Sequence, residues 1–313
     1  MSAVNTSVGS SVDLHSARLA LRDRLFDAGL LIRTGVDGIY GRSAEFERVL
    51  AGVDACVRRL GAGDNPIVVE YPPMLPKATF DRIECLRNFP QLCGPVFSFE
   101  GNDQDYADLL RKLDAGEPYS ASLTQTEVVV TPACCYPVYP SLAGALNDEG
   151  VVYEISSYCF RHEPSEDPMR LQAFRQLEHV RVATAEQVLD WRDVWLQRAP
   201  ELLEALGLQV KGDVANDPFF GRAGRLMARS QREQQLKIEF LVPVFGADNP
   251  TACASVNYHQ DHFGHLFEIT ASGETAHSSC IGFGLERCVI AMFATLGVNT
   301  DRWPSAVRRL LWP

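Results

Sequence analysis

The sequence predicts an α+β fold: an antiparallel sheet flanked by helices, in one domain. Helical spacing dominates the front of the chain, meandering strand-like runs follow it, and no repeat or long linker divides the 313 residues. With 46% apolar residues the chain can bury a large core.

The polar start, "MSAVNTSVGSSVDLHS", has neither the apolar stretch of a secretion signal nor an arginine-rich targeting face. Residues 1–15 therefore read as a disordered tail and 16–313 as the domain. "ARLALRDRLFDAGLL" and "SAEFERVLAGVDACVRRL" space apolar residues by three and four, which predicts two helices joined by the Gly-rich connection or hairpin "GVDGIYGRS". "NPIVVEYPPMLP" is a β-branched run stopped by prolines, "TEVVVTPACCYPVYP" repeats that form, and "GVVYEISSYCFRHE" is a further strand. "AEQVLDWRDVWLQRAPELLEALGL" predicts a helix ending near Gly207, and a second helix covers roughly 221–235, so about 200–236 reads as a helical insertion. "LKIEFLVPVF", "ACASVNYHQD" and "HLFEITAS" read as three strands, and "AHSSCIGFGLERCVIAMFATLG" as strand, turn and helix.

A formal net charge of −11 argues against a broad electrostatic footprint for nucleic acid, though local basic patches remain compatible with it. No apolar run reaches the ~18 residues of a membrane span. Nine irregularly spaced cysteines fit a reducing cytoplasm better than a disulfide framework. CxxC and HExxH are both absent, so any metal site must be assembled from distant parts of the chain.

The chemistry-bearing stretch is "YCFRHEPSEDP" at 158–168, followed by "FRQLEHVRV" at 174–182. On a strand, Arg161 and Glu163 project to one face. A hairpin return bringing Phe174 and Arg175 alongside makes a cationic, aromatic-walled platform suited to a nucleotide: guanidinium for phosphate, ring for base. "GFGLER" at 282–287 adds Arg287 at a helix start, behind glycines that admit a ligand to the backbone. Each piece alone is more often a surface ion pair or a tight turn; their combination, in this order, carries the inference.

Together they resemble motifs 2 and 3 of class II aminoacyl-tRNA synthetases, and "IVVEYPPMLP" resembles the proline-bearing motif 1 dimer segment. "TPACCYPVYP" resembles the Pro-Thr-Ala-Glu stretch of seryl-tRNA synthetases, with Cys135 where a carboxylate is usual. Cys135, Glu178 and Cys280 resemble the three zinc ligands of the atypical seryl-tRNA synthetases of methanogens. The fullest resemblance, over roughly 65–300, is to their truncated bacterial homologues, the amino acid:carrier-protein ligases. Two thiolates and a carboxylate suit zinc and leave one position open, which in that family takes the substrate's amino group. Cys134 adjoins Cys135 and points to the opposite strand face, so only one of the two can be the ligand.

The resemblance implies a class II synthetase-like antiparallel sheet, a homodimer, ATP and Mg²⁺, and one Zn²⁺ per chain. Arg161 is expected at the α-phosphate, Glu163 near the adenine amino group, Phe174 on the adenine face, and Arg287 on its other face and at the γ-phosphate. Asn257, His259 and Asp261 are further candidates, with a satisfied core role an equal reading, and Arg175 an auxiliary one. The long N-terminal helical arm that grips tRNA in seryl-tRNA synthetases has no counterpart before residue 66, which argues against tRNA as acceptor. The family points instead to the phosphopantetheine thiol of an acidic acyl carrier protein, with glycine or alanine as the amino acid. In "FFGRAGRLMARSQREQQLK", Arg222, Arg225, Arg229 and Arg232 fall on one helical stripe, a dock for such a partner or a solvated face. The rival expectations are a tRNA-charging seryl-type synthetase and a non-catalytic regulatory paralogue; the motif arginines and metal ligands are all retained, which argues against the latter.

Overall fold

The computed structural model describes residues 9–313. Helix α1 (Gly9–Asp27) leads into a hairpin of β1 (Leu31–Val36) and β2 (Ile39–Arg42), and Ser43 then caps α2 (Ala44–Gly61) through its Oγ, which accepts from Phe46 N at 3.3 Å. Next come β3 (Ile67–Glu70), β4 (Met74–Pro76), α3 (Lys77–Arg82), α4 (Cys85–Asn88), β5 (Gly94–Ser98), α5 (Asp103–Ala115) and β6 (Thr124–Val130). After the short β7 (Gly144–Ala145), the long strands β8 (Val151–Phe160) and β9 (Ala173–Ala183) form a hairpin, with Phe160 opposite Ala173. Then follow α6 (Ala185–Ala205), β10 (Lys211–Val214), α7 (Gly221–Glu233), β11 (Lys237–Val242) and β12 (Thr251–Gln260). The last part holds α8 (His262–Phe267), β13 (Ile269–Ala271), β14 (Glu274–Thr275), β15 (His277–Gly284), α9 (Leu285–Leu296) and α10 (Ser305–Leu311).

The central sheet has seven strands in the order β10-β11-β12-β15-β9-β8-β3, antiparallel throughout except for the β3–β8 pair. This is the expected α+β class. Small sheets β4-β6-β5 and β14-β13-β7 lie beside it. Period-2 alternation divides the central strands between two cores. One, with Phe46, Trp195, Phe283 and Phe293, packs the helices α2, α6 and α9. The other, with Leu75, Val129, Tyr139, Phe263 and Cys280, covers the opposite side. All nine cysteines are free thiols.

Four local expectations need correction. Of the expected tail 1–15, residues 1–8 lie outside the described residues, and from Gly9 onward the chain is already in α1; extending a nucleated helix costs little. Arg161 and Glu163 were expected on a strand, but β8 ends at Phe160, where the pairing with β9 runs out. "HLFEITAS" is not one strand: α8 runs to Phe267, Glu268 takes a left-handed conformation (φ 56), and only Ile269–Ala271 is extended. The stretch 200–236 holds, besides α7 and the end of α6, the edge strand β10, which is recruited by pairing with β11.

Candidate active site

Four neighbouring strands aim alternate residues into one cavity of about 460 Å³. They are Lys237 and Glu239 on β11; Ser255, Asn257 and His259 on β12; Cys280, Gly282 and Gly284 on β15; and Phe174, Gln176 and Glu178 on β9. Register makes these rows: Glu239 faces Ser255, Ser255 faces Gly282, and Gly282 faces Glu178. On β9, Arg175 between Phe174 and Gln176 faces away from this cavity. It binds Glu47 at 2.7 Å and the fully buried Glu286 at 2.8 Å, so it fastens β9 to α2 and α9. The auxiliary role expected for Arg175 is thus replaced by a structural one.

Two guanidinium groups line the cavity without a carboxylate within 4.0 Å among the described residues. Arg161 donates Nε to Pro132 O at 3.0 Å and lies 5.4 Å from the Phe174 ring centroid. Arg287 donates Nε to Met169 O at 2.8 Å and Nη1 to Ala252 O at 3.2 Å. Burial and the Arg161 charge both press on the Arg287 cation and hold its pKa below the ordinary value. Cations brought together and tied only to carbonyls form a site for a polyanion. Glu163 does not line the cavity: it lies in the loop after β8, 3.6 Å from Arg170.

Deeper in the cavity, ligand atoms of Cys135, Glu178 and Cys280, all buried, lie within 4.8 Å of one another. Burial and the neighbouring Cys280 push the Glu178 carboxyl up to about 8, and its Oε2 has no hydrogen-bond partner. Of the two thiols Cys280 is the more acidic: it accepts a hydrogen bond from Cys135 against the cost of burial, and His259 and Asn257 add to this. Three crowded acidic groups with an orphaned oxygen fit a divalent cation, and a Cys₂Glu set suits zinc. Cys134 stands outside the cluster, its Sγ donating to Ile155 O at 3.7 Å.

Asn257 and His259 border this cluster: Asn257 Nδ2 is 3.5 Å and His259 Nε2 3.6 Å from Cys280 Sγ. His259 Nδ1 meets Ser278 Oγ at 3.0 Å, and Phe263 stands 5.0 Å from the His259 ring. Asp261 lies outside the cavity lining and pairs with His265 at 3.1 Å instead. Helix α7 closes another side with Met227, Ser230, Gln231 and Gln234. Arg222, Arg225, Arg229 and Arg232 on α7 are exposed; Arg229 pairs with Glu233 at 2.6 Å and Arg232 with Asn216 at 3.1 Å.

The chain is 41% identical over 292 residues to amino acid–(acyl-carrier-protein) ligase 2 of Bradyrhizobium diazoefficiens, covering 92% of this chain and 87% of that protein. Ligase 1 of the same organism is 39% identical over 295 residues, with 93% and 88% covered. The chain belongs to the amino acid–(acyl-carrier-protein) ligase family. It is a ligase with a class II aminoacyl-tRNA synthetase-like catalytic fold. A more distant relative is the type-2 serine–tRNA ligase of Methanopyrus kandleri, 26% identical over 260 residues; 76% of this chain matches about half (49%) of that protein. The M. kandleri seryl-tRNA synthetase structure, solved with an A. aeolicus tRNA, shares the fold at a TM-score of 0.80 and 21% identity, covering 93% of this chain and 60% of that one. The Pyrococcus horikoshii seryl-tRNA synthetase, solved with ATP, matches at a TM-score of 0.67 and 12% identity, covering 93% of this chain and 62% of that one. No protein-family model matches the chain.

Several further lining residues of the ligase carry a usable sequence signal. Gln176 sits midway between Phe174 and Glu178, and Lys237 and Glu239 alternate on a strand, so period 2 points all three the same way. Asp217, Phe219 and Phe89 come from irregular segments, where no periodicity tells which way a side chain faces.

Proposed function

We propose that the chain activates a small amino acid, glycine or alanine, with ATP and passes the aminoacyl group to the phosphopantetheine thiol of an acidic acyl carrier protein. The observation that carries this is the sharing of one cavity by the Arg161–Arg287 pair and the Cys135–Glu178–Cys280 cluster. A polyanion site and an amine-selective site are thereby set side by side, as joining an amino acid to ATP requires.

Phe174 offers a ring face for the adenine and Arg161, above that ring, meets the α-phosphate; Arg287 holds the base's other face and the γ-phosphate. Magnesium accompanies the triphosphate. The amino acid's carboxylate oxygen attacks the α-phosphorus, an O–P bond forms, and pyrophosphate leaves. The thiol then gives up its proton to solvent and attacks the carbonyl carbon; a C–S bond forms, the acyl C–O bond to the phosphate breaks, and AMP leaves. The two guanidinium groups act by positioning and by neutralising charge that grows in the transition state. Cys135, Glu178 and Cys280 would hold one zinc ion, which supplies a Lewis-acid position for the neutral α-amine. Asn257 and His259 help to keep the Cys280 sulfur anionic. The reading for Glu163 at adenine requires its loop to turn inward.

Support for a protein acceptor comes from α7, whose outer face carries Arg222, Arg225 and Arg229 beside the exposed Leu226 and Phe220 (66% and 62%). Support for a homodimer comes from β3, an edge strand with Ile67 and Val68 more than half exposed (53% and 60%), which a second copy would cover. No described helix is long and apolar enough to cross a membrane.

The direct test is amino-acid-dependent ATP–pyrophosphate exchange over a panel of amino acids. Exchange with glycine or alanine supports the reading; no exchange with any amino acid refutes it.

A further inference from the structure

The arginine-bearing helix and the reaction cavity meet at Asp217, in the loop before α7. Its Oδ2 accepts from Gln231 Nε2 at 2.8 Å, its backbone N–H donates to Gln231 Oε1 at 2.7 Å, and its Oδ1 accepts from Lys237 Nζ at 2.6 Å. Gln231 lies on the cavity side of α7, Lys237 opens β11, and all three residues line the cavity. Burial opposes the charge on Asp217, but Lys237 and then Gln231 outweigh it and hold the carboxyl below its usual range. Lys237 remains a cation between Asp217 and Glu239, the latter at 3.3 Å.

Among the described side chains of α7, apolar burial does little to place the helix: Leu226 and Met227 are exposed, and Gly224 is buried, where an added Cβ would meet Phe219 at 2.9 Å. Polar ties among the described residues include Arg232 to Asn216 at 3.1 Å and, just past the end of α7, Gln260 to Gln234 at 3.0 Å. Among these, the Asp217–Gln231 pair is two-way and charge-assisted, and through Lys237 it reaches a strand of the central sheet.

We propose that Asp217 is a positioning residue: it clamps Gln231 with one carboxylate oxygen and Lys237 with the other, setting the arginine stripe in register with the cavity. This rests on the reading of α7 as the carrier's docking helix. The clamp makes the helix position, rather than its charge alone, part of how an acceptor reaches the cavity.

The bond pattern allows a rescue test. Asp217→Asn sets a donor against a donor in either amide orientation, and Gln231→Glu sets carboxylate against carboxylate. The double variant restores all three bonds: Asn donates to Glu, Glu accepts from the residue 217 N–H, and the Asn oxygen keeps Lys237. In transfer of glycine and of alanine to a purified phosphopantetheinylated acyl carrier protein, each single variant should raise KM for the carrier about 10-fold, well beyond any change in KM for ATP. Amide exchange in 221–233 should quicken, and the double variant should return both quantities to within about 2-fold of wild type. Equal movement of the two KM values, unaltered single variants, or no rescue in the double would overturn the clamp. If the wild type acylates no carrier, the functional reading fails, while amide exchange still decides the clamp: fast in both single variants and restored in the double supports it, and anything else refutes it.

Discussion

Gly282 stands directly opposite Glu178 across β15 and β9, and a Cβ at 282 would come within 3.3 Å of Glu178 Cγ. That spacing is tighter than an ordinary contact, so the carboxylate must shift by a few tenths of an ångström to admit even a methyl group. Gly282 thus leaves room for Glu178 to meet the two thiols. Gly282→Ala should weaken zinc retention by about 10-fold, as lost support for a ligand commonly does. Metal content after dialysis against a weak chelator checks this.

The ligand cluster makes a sharper prediction. Purified protein should carry about one zinc per chain, and Cys280→Ala should lose it together with pyrophosphate exchange. Cys134→Ala should keep the metal, because its thiol turns toward Ile155 O rather than into the cluster. Metal analysis of the two variants decides the ligand: zinc lost from Cys134→Ala and kept in Cys135→Ala would exchange their roles.

Removing either cavity guanidinium should damage the nucleotide step. Arg161→Ala and Arg287→Ala should each lower pyrophosphate exchange by about 100-fold or more, since such contacts are worth roughly 2.7–4 kcal/mol in a preorganised site. Circular dichroism should show the fold intact. Exchange within a few-fold of wild type in both variants would rule out this phosphate site.

His179 supplies a pH prediction. It is fully buried against Gly61 and Trp195, with no hydrogen-bond partner for either ring nitrogen, and burial lowers its pKa to about 4. In the unfolded chain it titrates near 6.5, so between the two values the unfolded state binds more protons. Stability should therefore fall as pH drops from about 6.5 toward 4, by up to ~3 kcal/mol from this group. Denaturant midpoints at several pH values should show that slope, and His179→Leu should flatten it.

Much of the site was legible because its residues lie on strands. Phe174 and Glu178 share a face by alternation, and Cys280 and Arg287 flank the Gly-rich end of β15. Glu163 falls outside the cavity lining because alternation holds only while a strand continues, and β8 ends at Phe160. Helix α5 is absent from the expected elements although "NDQDYADLLRKLDAG" spells it out: Asn102 and Asp105 form a reciprocal capping box and Gly116 ends it in a left-handed turn (φ 66). The Asp217 clamp joins residues 14 and 20 positions apart through a loop, and no local pattern in the sequence announces it.

Transfer to the acceptor is the measurement to make. With ATP and radiolabelled glycine or alanine, the purified chain should load a phosphopantetheinylated acyl carrier protein and leave the unmodified carrier and bulk tRNA unlabelled. If the exposed stripe steers an acidic partner, as proposed, Arg225→Glu with Arg229→Glu should slow that transfer, and rising salt should slow the wild type. Label on tRNA instead of the carrier thiol would contradict the account and make the chain a tRNA-charging enzyme.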